Sequence, residues 1–215
     1  MLLSHYSIAK DPGEILKMKN VYVTDDGQDW GTMAADLAAL CIPLGFAADV
    51  YTFDCRIIDH SWSTVSRDAL IARLESVKAH GHVPTLGKNI SGIFIQSYID
   101  FLSAGGTLHI APYVTSRLLH SLLEKGPFQA TVCMGAFYGL GKQRLSNDGK
   151  PVLDDIHGGI GTHFVVVYGN DEQGKFLIAD PSKKPGLYTV EPEQLTGAIM
   201  AAQRDCENIV FQISK

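Results

Sequence analysis

His163 opens a run rich in β-branched and aromatic residues, Thr162-His163-Phe164-Val165-Val166-Val167-Tyr168. Asp180, 17 residues further on, closes a second such run, Phe176-Leu177-Ile178-Ala179-Asp180-Pro181-Ser182. Between them stand the turn residues Gly169-Asn170-Asp171. Two such runs joined by one tight turn read as a hairpin, so the histidine at one strand's start and the aspartate at the other's end face each other across the sheet. A carboxylate on one imidazole nitrogen sets the ring's tautomer and orientation and leaves the other nitrogen to move a proton. That is the chemistry of a hydrolase that activates a nucleophile. Taken singly, His163 also reads as a strand-edge histidine on a backbone carbonyl, and Asp180-Pro181 as a turn cap. Their spacing is what joins them.

A nucleophile is harder to place. The four cysteines, at 41, 55, 133 and 206, show no C-x-x-C spacing, which fits free thiols in a reducing compartment better than structural zinc. Cys133, in the strand-like run Ala130-Thr131-Val132-Cys133-Met134, is the best alternative nucleophile, although a cysteine in a buried strand is ordinarily a small apolar core residue. Cys41 reads as core, Cys55 as exposed beside Arg56, and Cys206 as structural. His157 follows Asp154 and Asp155, but D-D-x-H matches no metal signature. His80 and His82 flank Gly81 at a helix end, where a cation is favourable without any ligand. Gly139-Leu140-Gly141-Lys142 lacks the Gly-Lys-Ser/Thr ending of a phosphate loop. No metal or cofactor is expected.

The elements that must hold these residues divide the chain into helices first and strands last. Helical periodicity places Met33, Leu37, Leu40, Cys41 and Leu44 on one stripe over Thr32 to Leu44, with Gly45 as the stop. Phe46 to Phe53 is extended. Ser66 caps a helix carrying Leu70, Leu74 and Val77 that ends at Gly81, and a second apolar helix spans Ser91 to Leu102. A strand over Gly106 to Ala111 and a helix over Thr115 to Lys125 follow. Strands at about 129–134, 162–168, 174–179, 187–190 and 208–213, with one helix from Pro192 to Ala202, complete an α+β class. The polar, glycine-rich stretch from Gly139 to Gly161 has no periodicity and runs directly into His163, as a lid or wall would.

The 215 residues are read as one domain, 1–215, with an extra helical segment at about 57–104. A hydrophobic content of 46% with 19% charged residues suits a globular chain with a full core. A net charge of −5 without a basic stripe argues against nucleic acid. No apolar stretch approaches the roughly 18 residues of a membrane span, and Met1 to Tyr6 lacks the marks of a signal peptide. The expected location is cytoplasmic. Nothing in the sequence reports the oligomeric state.

The stretch from Gly161 to Ser182, with its His163-Phe164-Val165-Val166-Val167 strand, Gly169-Asn170-Asp171 turn and Asp180-Pro181-Ser182 end, resembles the papain-like cysteine peptidases. It is closest to the bacteriocin-leader (double-glycine) peptidase family. The helix within Gly31 to Gly45 and the strand–helix–strand of Gly106 to Val132 are similar to that family in character. The resemblance implies a papain-like fold, N-terminal helices packed on a C-terminal antiparallel sheet, with His163 and Asp180 as the retained catalytic pair and the strand of Cys133 beside that of His163. It also implies a Cys-Gly pair opening the first long helix and, six residues earlier, a Gln for the oxyanion hole. Trp30-Gly31 stands at the first place and Thr24 at the second, with Gln28 the other oxyanion candidate. An indole has no nucleophile and forms no acyl-enzyme. The resemblance therefore implies a pseudoenzyme with Trp30 filling the vacated cleft, which binds a peptide or extended tail between the Trp30 helix and the His163 sheet. Two alternatives stay open: an active cysteine hydrolase, peptidase or acyl transferase using His163 and Asp180 with Cys133, and a scaffold or interaction protein to which the cleft is irrelevant.

Overall fold

The strand-forming runs meet in one seven-stranded sheet that draws on both halves of the chain. A computed structural model describes residues 1–18, 22–23, 29–81, 88–146, 148–182, 186–205 and 208–215. Two short helices, α1 (Leu2–His5) and α2 (Pro12–Met18), precede a small ribbon of β1 (Tyr22–Val23) and β2 (Asp29–Gly31), followed by α3 (Ala34–Cys41) and β3 (Ala47–Thr52). The chain continues through α4 (Arg67–His80), α5 (Lys88–Ser103), β4 (Thr107–Ile110), α6 (Ser116–Leu123), β5 (Phe128–Cys133) and α7 (Met134–Tyr138). A small hairpin, β6 (Gln143–Leu145) and β7 (Pro151–Leu153), leads to β8 (Thr162–Asn170), β9 (Phe176–Ala179), β10 (Leu187–Val190), α8 (Pro192–Ala201) and β11 (Ile209–Ser214).

The strand order is β10-β9-β8-β5-β11-β3-β4. Every pair is antiparallel except β3 with β4. A parallel pair needs a long crossover, and α4 with α5 supplies it. The α+β class is as expected, but the sheet is mixed, and β3 and β4 from the first half of the chain complete it. Helix α3 begins at Ala34 and not at Thr32. Gly31 has a left-handed φ of +84° and Met33 is extended, so the helix cannot start earlier. The caps at Ser66, whose Oγ accepts from the Ala69 N–H, and at left-handed Gly81 bound α4 as anticipated.

Alternation along the strands sorts the core into two layers. Ala48, Val50, Val166, Phe211 and Ile213 pack under α3, α4 and α5. Phe128, Ala130, Val132, Val165, Val167 and Ile178 pack under α6, α7 and α8. The region around 57–104 is built into the first layer, because Phe94, Ile95, Tyr98, Phe101 and Leu102 of α5 are all buried there. Burying each such side chain stabilises by about 1.5–3 kcal/mol, so α5 is a structural element of the fold.

Candidate functional site

His163 and Asp180 come together through sheet register. Val166 pairs with Ala179, and continuing that register sets residue 165 opposite Asp180. His163 is then a diagonal neighbour on the same face, within reach of a long side chain. His163 Nε2 lies 3.0 Å from Asp180 Oδ1. The imidazole is 21% exposed and the carboxyl fully buried.

An unpaired buried carboxylate costs several kcal/mol, and here five donors offset that cost. Oδ2 accepts from the Tyr138 and Tyr188 hydroxyls, each at 2.6 Å. Oδ1 accepts from the Ser182 N–H and Oγ, each at 2.8 Å, besides His163. Burial pushes the Asp180 carboxyl up, but the bonds from Tyr138, Tyr188, Ser182 and His163 outweigh it and hold it well below the usual carboxylate range. Burial and the bond to Asp180 push the Tyr138 hydroxyl up to about 12. Tyr188 is raised further by burial, Asp180 and Tyr138. Asp180 is thus held ionised, and Tyr138 and Tyr188 protonated, as their bonds require. An ionised carboxylate only accepts, so His163 Nε2 donates, and in the neutral imidazole Nδ1 carries the lone pair. Among the described residues Nδ1 has no hydrogen-bond partner, and the nearby Tyr138 ring is centred 6.0 Å from the imidazole.

Neither tyrosine is evident from motif reading. Tyr188 has a signal in retrospect: it pairs with Ile178, two positions before Asp180 and on the same face. Tyr138 has none, since it comes from α7, an element with no strand pairing to Asp180.

The thiols stand elsewhere. His163 pairs with Val132, and Cys133 pairs with Thr162. Alternation therefore turns Cys133 to the opposite face of the sheet from His163. Cys41 belongs to the α3 layer, where its Sγ donates to Leu37 O at 3.4 Å and burial pushes the thiol up to about 11. Cys55 is exposed just after β3, three strands from β8, or about 14 Å at the usual strand spacing. Cys206 lies outside the described residues, as do Thr24, Gln28 and His82. Trp30, described through its backbone alone, sits in β2. It does not open a helix, so the position lacks the helix N-terminus that would favour a thiolate there.

A cavity of about 240 Å³ opens between α1, α2 and α3 and the strands β5, β8 and β11. Leu37, Leu40, Phe164, Phe211, Gln129 and Pro181 are among the residues that line it. Phe164 and Pro181 are the chain neighbours of His163 and Asp180, so the cavity and the imidazole lie on the two sides of the same strand end. The cavity is walled by α1, α2 and α3 and not by a helix that Trp30 opens, and the His163 ring faces away from it, because adjacent residues of β8 point to opposite faces. Its volume is near the lower limit of small-molecule sites and suits one or two apolar side chains.

The arm carrying β6 and β7 replaces the loop expected over Gly139 to Gly161. It is anchored beside the site by a Gln143–Gly159 bridge and by the Met134 N–H on Gly161 O at 3.0 Å. Leu153 and Ile156 on it are 76% and 73% exposed. Asp154 braces the arm, accepting from Arg144 Nε and the His157 N–H at 2.8 Å each, so it serves the turn. Among the described residues no group of three His, Cys, Asp or Glu can hold a metal, and no helix is long and apolar enough to cross a membrane. No protein-family model, no curated protein and no solved structure matches the chain.

Proposed function

We propose that this is a cysteine-peptidase-like binding protein, catalytically degenerate, that holds a peptide or extended tail at the His163 end of the sheet. The observation that carries the reading is a rigidly held imidazole, its Nδ1 open, with no described thiol on its face and an apolar cavity on the other side of the same strand end. An extended chain suits such a site, because successive side chains of a strand diverge and its N–H and C=O groups alternate. The chain crosses the end of β8, so that one apolar side chain enters the cavity on one face and a backbone group meets Nδ1 on the other.

The test is fluorescence-anisotropy titration of a labelled extended peptide with apolar residues before a C-terminal Gly-Gly. Leu40→Trp, which fills the cavity, is expected to weaken binding at least about tenfold, and His163→Ala about two- to tenfold, the worth of one hydrogen bond. Wild-type protein that does not bind, or binding indifferent to both changes, defeats the reading.

A second reading, an active cysteine hydrolase, is favoured by the five-donor hold on Asp180, since a general base needs such fixity. Rapid, stoichiometric, His163-dependent labelling of one cysteine by a thiol-directed active-site probe is its signature. The face assignment of Cys133 argues against that thiol as the nucleophile.

A further inference from the structure

We infer that Tyr138 and Tyr188 are positioning residues for His163: by holding Asp180 Oδ2 they aim Oδ1 at Nε2 and keep the imidazole turned with Nδ1 outward. The inference rests on the reading of His163 as the group that meets the ligand.

The division of labour between the two carboxylate oxygens is the basis. Oδ2 takes only the two tyrosine hydroxyls, both at 2.6 Å, whereas Oδ1 takes Ser182 twice at 2.8 Å and His163 at 3.0 Å. Charge-assisted O–H···O⁻ bonds of that length are the strong ones, and they come from two separate elements. Tyr138 comes from α7, which follows β5, and Tyr188 from β10, the strand beside β9. Two anchors on one oxygen stop the carboxylate from turning about its Cβ–Cγ bond. The bond to His163 is the longest of the five, so it depends most on where the carboxylate is held. Ser182 does different work. It shares Oδ1 with the imidazole and competes for the same lone pairs, whereas the tyrosines leave that oxygen to His163.

The contrast gives a test that a merely structural role fails. The Nε2–H proton of His163 is followed by proton NMR in the full chain, with its solvent exchange measured beside that of the Val165 and Val167 amides. Tyr138→Phe with Tyr188→Phe is expected to speed Nε2–H exchange at least about tenfold, with the two amides unchanged. Ser182→Ala, which removes a competitor on Oδ1, is expected to leave the exchange equal or slower. If the double variant does not fold, Tyr188→Phe alone carries the test, at about threefold or more. Exchange unchanged by the tyrosine changes, or accelerated only in step with the β8 amides, or accelerated equally by Ser182→Ala, overturns the inference. Peptide binding indifferent to both Leu40→Trp and His163→Ala would defeat the functional reading and leave the exchange result standing, because the exchange measurement needs no ligand.

Discussion

Asp180 shows how a residue that looks like a turn cap becomes the centre of a site. Its N–H bonds Gly186 O at 2.7 Å, and its side chain accepts from the Ser182 N–H, so the turn role is real. The two tyrosines and His163 add the rest. Asp180→Asn is expected to destabilise the fold by about 3 kcal/mol, because an amide NH₂ cannot accept from the tyrosine hydroxyls and each stranded donor costs about 1–3 kcal/mol. Denaturant midpoints at pH 7 measure it. The pH dependence follows from the direction of the shifts. A carboxyl held below its unfolded value of about 3.9 stabilises the fold above that pH, and the contribution fades as pH falls below it toward the lower folded value. Asp180→Asn should therefore flatten the acid limb of the stability profile. At the other end, Tyr138 keeps its proton to about 12, while an unfolded tyrosine loses it near 10. Its contribution is thus lost as pH rises from about 10 to 12, and Tyr138→Phe should remove that slope. A profile unchanged by either substitution would show that the carboxylate and hydroxyl do not interact in solution.

At the scale of elements, the arm of β6 and β7 is what periodicity missed. Its strands are three residues each, too short for alternation to show, and it is held by backbone contacts that composition does not encode. Gly158 is one of them. A Cβ there would lie 2.3 Å from Asp154 O and 2.8 Å from Gln143 N, both backbone atoms that cannot step aside cheaply. Gly158→Ala is expected to cost about 1–3 kcal/mol, paid locally by release of the arm. Limited proteolysis should cut between 139 and 161 faster than in the wild type, while the global thermal midpoint moves little. Cleavage at the wild-type rate would show that the anchor is dispensable. The longer elements were legible for the opposite reason: α4 and α5 have caps or broad apolar faces, and β8 has a run of three valines. The start of α3 differs from the apolar stripe because its boundary depends on the left-handed Gly31.

For the whole molecule, the two core layers decide which thiols are reachable. Cys41 is buried on α3 in the wall of the cavity, and with its thiol at about 11 only about one molecule in a thousand carries the thiolate at pH 8. Cys55 is exposed and Cys133 half-buried. Native-state iodoacetamide labelling read by mass spectrometry is expected in the order Cys55, Cys133, Cys41, with Cys41 at least about 100-fold slower than Cys55. Early capture of Cys41 would mean that its thiol is open to reagent through the cavity and is not held up by burial.

The sequence by itself determined the α+β class, the long helices, the β8–β9 hairpin and the His163–Asp180 pair, since each depends on local periodicity, caps or a single turn. Only the tertiary structure decided that the sheet is mixed, that α5 is core, that Tyr138 and Tyr188 close on Asp180, and that Cys133 and the cavity lie across the strand from the His163 ring. Those facts follow from which strands pair and in what register, and a register shift of one residue would exchange the two faces. No single stretch of the chain carries that information, because it is set by how residues 47 to 214 share one sheet.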